Sequence, residues 1–132
     1  MTVERQVVQL LRSRPPMQKP SRKKRLSAKA LVVFITAADK HQALKIGKLV
    51  VKERLAACAN VLPTIRSIYR WNGKMVVGEE ALVILKTTTD RYRALEKLVL
   101  ELHSYQVPEI IALPITRGFK QYLGWILSEV HT

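Results

Sequence analysis

A single cysteine, Cys58, leaves no possibility of an internal disulfide or of a metal centre built from clustered thiolates within one chain. A lone thiol suits a reducing compartment. Long apolar runs are missing too: nothing approaches the ~20 consecutive apolar residues that span a bilayer, so no membrane association is expected. The apolar stretch Val7 to Leu11 is too short for a signal-peptide core, and Arg12 and Arg14 follow it at once. Together these points lead to the expectation of a cytoplasmic protein. The G-x-S-x-G elbow, the P-loop and G-x-G-x-x-G are absent, and no histidine lies near Cys58 in sequence. Glu79 and Glu80 are neighbours on a predicted strand and face opposite ways, which argues against a cooperating carboxylate pair. Neither an enzyme nor an organic cofactor is expected.

Acidic residues are scarce at the start of the chain. Residues 1–29 carry nine Lys/Arg against one acid, Glu4, a net +8 of the chain's +13; the remainder carries fourteen against nine, a net +5. The cluster Lys19 to Arg25 is basic and apolar-poor, preceded by Pro15-Pro16, and buries no core. Residues 1–28 read as a basic, Pro-containing tail. Its charge suits weak, salt-dependent contact with nucleic acid or an acidic partner, although it has no interleaved aromatics for base stacking. A solvated extension is the plainer reading. Residues 29–132 read as one domain, and 48% hydrophobic content over the chain is ordinary for a globular core.

Within that domain the periodicity is clear. Ala30 to Ile35 is a β-branched apolar run, a strand buried on both faces. An N-cap signal at Thr36 to Asp39 opens a helix to about Leu55, with Gly47 central on its apolar face for close contact with a sheet. Cys58 to Trp71 alternates, placing Ala59, Val61, Ile65, Tyr69 and Trp71 on one side, and Pro63 predicts a bulge or an edge position. Asn72-Gly73 is a two-residue hairpin turn, and Met75 to Thr87 returns as the partner strand. A helix from Asp90 to about His103, a strand Ile110 to Ile115 and a helix Phe119 to Val130 complete the chain. The order β-α-β-β-α-β plus a helix predicts an α+β, ferredoxin-like split β-α-β fold. It implies an antiparallel sheet of order 4-1-3-2 with helices on one face. The hairpin arms outrun the first strand, and so long an exposed edge predicts self-association.

Five segments carry a family likeness in collinear order: ERLAACANV (Glu53 to Val61), SIYRWNGK (Ser67 to Lys74), LKTT (Leu85 to Thr88), HSYQVPEI (His103 to Ile110) and YLGWI (Tyr122 to Ile126). With these the chain resembles the CutA family over residues 30–130. The resemblance implies a homotrimer assembled through the long hairpins, similar in architecture to PII signalling proteins. It also implies binding of divalent cations, with copper the first candidate, in metal tolerance or response to metal ions. The chain departs from the family pattern in three places. Ser104 stands between His103 and Tyr105 where proline is usual, Ile35 stands where some members have cysteine, and Leu102 where some have a second histidine.

Of the three histidines, His41, His103 and His131, none forms a local pair. His103, six residues before Glu109, is the candidate metal ligand with Glu109, since imidazole suits Cu(II). The competing reading has His103 capping a helix C-terminus. A second set, Tyr69, Trp71, Lys86, Tyr105, Tyr122 and Trp125 with Glu109, is expected to line an inter-subunit cleft, or alternatively to anchor the interface. Lys86 interrupts an apolar strand and calls for an acidic partner, Glu79, Glu80 or Glu109. If it faces the cleft instead, the alternative is a PII-like signalling module binding a small anionic ligand.

Overall fold

A computed structural model describes residues 28–130. The expectations for the basic tail before Ala28, and for His131, lie outside the described residues. Strand β1 (Ala30–Ala37) leads into α1 (Lys40–Lys52), followed by β2 (Cys58–Trp71) and β3 (Lys74–Thr88). Helix α2 (Tyr92–Leu102), strand β4 (Ile110–Pro114) and α3 (Lys120–Glu129) follow. The four strands form one antiparallel sheet in the order β2-β3-β1-β4, the expected 4-1-3-2 seen from its other edge. No helix among the described residues is long and apolar enough to cross a membrane.

Helix α1 begins where the sequence signals it. The Asp39 carboxylate accepts from the Gln42 amide at 2.9 Å, satisfying one of the free N–H groups of the first turn. Asp39→Ala is expected to lower stability by about 1 kcal/mol in a urea titration, with no change in slope. The helix ends at Lys52, three residues short of the expected Leu55. Arg54 takes the left-handed conformation at φ 59°, Leu55 N–H bonds Val50 O at 2.9 Å and Arg54 N–H bonds Val51 O at 3.0 Å. That is a Schellman closure, with Leu55 buried beside Val50 and arginine in the place usually held by glycine. Arg54 also pairs with Glu129 of α3 at 3.4 Å.

Helices α1 and α2 cover one face of the sheet. Val33 and Ile35 of β1, Val83 and Leu85 of β3, Ile46 and Val50 of α1, and Leu95 and Val99 of α2 share one core cluster with no solvent exposure. Gly47 sits where α1 crosses β2: a Cβ there would lie 3.1 Å from the Ala59 Cβ. Thr87, buried under this layer, donates its hydroxyl to the Leu55 carbonyl at 2.5 Å and so leaves no orphaned polar group.

Helix α3 corrects the expectation that all helices share a face. Its Trp125, Ile126 and Val130 pack on Ala30, Ala57 and Cys58 in a second, separate cluster. Cys58 pairs across the sheet with Lys86, as Val32 does, and cross-strand partners point to the same side. Ala30, two residues from Val32, alternates to that side as well. Helix α3 therefore lies over one end of the outer face, and no other helix among the described residues covers that face.

Pro63 produces the expected bulge. Register jumps between Leu62, opposite Leu82, and Ile65, opposite Glu80, so that two residues of β2 oppose one of β3. The bulge also corrects the expected alternation, because an extra residue flips every side chain beyond it. Ala59 and Val61 face the helices, whereas Ile65, Tyr69 and Trp71 fall on the outer side with Glu80. The hairpin closes at Asn72 and Gly73 with φ of 51° and 76°, the positive pair of a type I′ turn. Pairing of β3 with β1 stops at Ala81, so Lys74 to Glu80 has only β2 beside it. The hairpin thus leaves the sheet as a two-stranded ribbon roughly 20 Å long.

Candidate functional site

Where the ribbon leaves the sheet, a groove of about 550 Å³ opens on the outer side. Thr36 at the end of β1 and Glu80 of β3 line its base, Ser67, Tyr69 and Trp71 line it from β2, and Tyr105, Gln106, Val107 and Glu109 come from the α2–β4 segment. The local sequence explains the convergence. The bulge at Pro63 turns Tyr69 and Trp71 to this side, and the break after α2 carries Tyr105 across to meet them.

His103 organises that break. Its Nε2 lies 2.7 Å from the Thr36 carbonyl, which can only accept, so Nε2 carries the proton. Its Nδ1 then accepts the Tyr105 amide at 3.0 Å. Both ring nitrogens are engaged within the chain, and the imidazole stacks at 4.7 Å on the Tyr105 ring, tilted by 48°. A metal ion reaching His103 would have to displace one of these two bonds. His103 is also the C-cap of α2 through its backbone N–H to the Val99 carbonyl.

Tyr105, held in this way, donates its hydroxyl to Glu80 Oε2 at 2.9 Å. Burial, then the bond to Glu80 and its charge, push the Tyr105 pKa up to about 12, so the phenol keeps its proton at neutral pH. Glu79, one residue earlier, faces the other way and pairs weakly with exposed Arg66 at 3.8 Å. Tyr105 was expected at a cleft, but its bond to Glu80 was not foreseen from sequence, where Glu80 stood only as a possible partner of Lys86. The signal was available: Glu80 alternates with Leu82 and Ile84 on β3, and the bulge on β2 brings Tyr69 and Trp71 to the same side.

The expected cleft set divides within one chain. Tyr69, Trp71, Tyr105 and Glu109 come together in the groove. Lys86 does not join them, lying six residues along β3 from Glu80, roughly 20 Å away. Its ammonium donates to the Asn60 side-chain carbonyl rather than to any of the three expected glutamates. Tyr122 and Trp125 are at that same far end, their rings 5.6 Å apart. The Tyr122 hydroxyl lies 3.7 Å from Cys58 Sγ, and burial drives its pKa well above the usual tyrosine range. A second copy of the chain would be needed to bring the two ends into one cleft. No group of three or more His, Cys, Asp or Glu side chains is placed to hold a metal ion among the described residues.

A split β-α-β sheet with a projecting hairpin and an aromatic, acidic groove at the hairpin root defines a small α+β protein of the ferredoxin-like class. The family profile of the CutA1 divalent ion tolerance protein matches residues 31–129. The divalent-cation tolerance protein CutA of Thermus thermophilus is 48% identical over 95 residues, covering 72% of this chain and 92% of that protein. A solved structure of a divalent cation tolerance protein from the same organism superposes with a TM-score of 0.72 at 47% identity, covering 74% of this chain and 94% of that one. A structure from Archaeoglobus fulgidus, described as a periplasmic divalent cation tolerance protein CutA, gives 0.74 at 35% identity, over 77% of this chain and 99% of that one. The chain belongs to the CutA1 divalent ion tolerance family.

Proposed function

We propose that the chain is a homotrimeric, non-enzymatic divalent-cation tolerance protein that handles Cu(II) in the cytoplasm, with His103 and Glu109 as donors. The observation that carries this reading is the match of nearly the whole folded region, residues 31–129, to a family defined by divalent ion tolerance. Association is supported by the apolar surface one chain leaves in water: Ile68, Trp71, Met75 and Val77 on the ribbon are each more than half exposed. Cation binding is supported by donor chemistry. Imidazole nitrogen suits Cu(II), and the Nδ1 of His103 is held only by a neutral amide bond that a metal can replace. The basic tail adds a weak contact for nucleic acid or an acidic partner.

Calorimetric titration of Cu(II) into the full chain tests the reading, with light scattering on the same sample. Saturable binding tighter than about 1 µM, roughly 8 kcal/mol, is expected, together with the mass of three chains. His103→Ala should weaken binding at least tenfold. Weak binding that is indifferent to His103 would sink the assignment.

A further inference from the structure

The groove at the ribbon root has a character unlike the rest of the chain. The protein carries a net charge of +13, yet the groove's lining has two carboxylates, Glu80 and Glu109, and no Lys, Arg or His. Three aromatic residues, Tyr69, Trp71 and Tyr105, stand beside those carboxylates. Carboxylates and ring faces attract the same kind of guest, a positive charge, the first by Coulomb attraction and the second through the ring quadrupole. The rings add something a bare metal ion does not use: apolar area, which rewards a guest with a hydrocarbon body. At about 550 Å³ the groove lies in the size range of small-molecule pockets.

We propose that this groove binds an organic ammonium ion, an amine with an apolar stem. Glu80 is set for it. Its Oε2 is occupied by the Tyr105 hydroxyl, which fixes the carboxylate and leaves Oε1 to accept from the ammonium. Glu109 supplies the second negative charge, and the stem lies against Trp71 and Tyr69. A second copy packed over the outer face would roof the groove and exclude water, strengthening the attraction. This goes beyond the metal reading, which shares Glu109 with the groove but rests on His103, a residue outside its lining.

The test is calorimetric titration of hexylammonium chloride into the full chain at constant ionic strength, beside 1-hexanol, which has the same stem without the charge. Hexylammonium is expected to bind saturably, at least tenfold more tightly than the alcohol. Glu80→Gln, which keeps an acceptor for Tyr105, should weaken it at least tenfold, and Trp71→Leu several-fold. Trp71 is 55% exposed on the ribbon, so its replacement spares the core. Equal binding of amine and alcohol would reduce the groove to an apolar surface and overturn the proposal. So would amine binding indifferent to both substitutions, or none up to about 10 mM, a threshold near 3 kcal/mol. Cu(II) titrated into the same samples reports separately: its failure with amine binding intact would remove the metal reading alone.

Discussion

Leu85→Ala is expected to cost about 2–5 kcal/mol, a large share of the roughly 5–15 kcal/mol that holds a domain of this size folded. Leu85 has no solvent exposure and lies on β3, the strand hydrogen-bonded on both sides, opposite Ala59 of β2 and Val33 of β1. Its side chain is part of the cluster formed with Ile46, Val50, Leu95 and Val99. A strand pinned on both edges has little freedom to close over a vacated volume, so the cavity remains and the cost falls in the upper half of that range. The measurement is the urea midpoint at fixed protein concentration, because association couples stability to concentration. Leu100→Ala, at a position 49% exposed on α2, is the control and should stay within about 0.5 kcal/mol. A Leu85 cost below about 1 kcal/mol would place the core elsewhere.

Local chemistry made most of this fold readable. Asn72-Gly73 has few alternatives to a tight hairpin, since both residues tolerate positive φ, and the turn is there. Pro63 lacks an N–H for the ladder and marks a bulge, which the register shift bears out. The end of α1 was harder to read, because the left-handed residue that stops it is Arg54 rather than a glycine. The placement of α3 was illegible for a different reason. Its apolar residues state that it packs on something, but a helix pattern does not say which face of the sheet receives it.

The site was less legible than the fold, and the bulge explains much of the shortfall. Strict alternation carried Tyr69 and Trp71 to the side of Ala59, whereas one extra residue puts them with Glu80 and Thr36. Lys86 interrupts an apolar strand, which suggested an acidic partner or a cleft, whereas its ammonium meets a neutral amide. Only the register shows that the partner is Asn60, one pair along and on the same face. His103 is a case where residue type tells only part of the role. An imidazole six residues before Glu109 suggests a metal ligand, but type and spacing do not reveal that its nitrogens also meet Thr36 and Tyr105 and so shape the groove.

On the proposed homotrimer, Leu62→Asp combined with Leu113→Asp is expected to give single chains while leaving each chain folded. Leu113 pairs with Val32, and Leu62 with Leu82, so both lie on the outer face of the sheet. They remain 49% and 41% exposed in one chain. Ile84, Phe34 and Ile111 lie between them on that face, and α3 covers only the end near Ala30. In a single chain an aspartate at either edge position stays hydrated and costs little. Packed against another copy, each would bury a charge without a partner, at several kcal/mol apiece, enough to reverse assembly. Light scattering reads the mass, and circular dichroism confirms that the strands survive. The same charge at Leu100, on the helical side, should leave the mass unchanged. An unaltered mass in the outer-face variant would move the interface onto the ribbon alone, where Met75 and Val77 would be the next residues to charge.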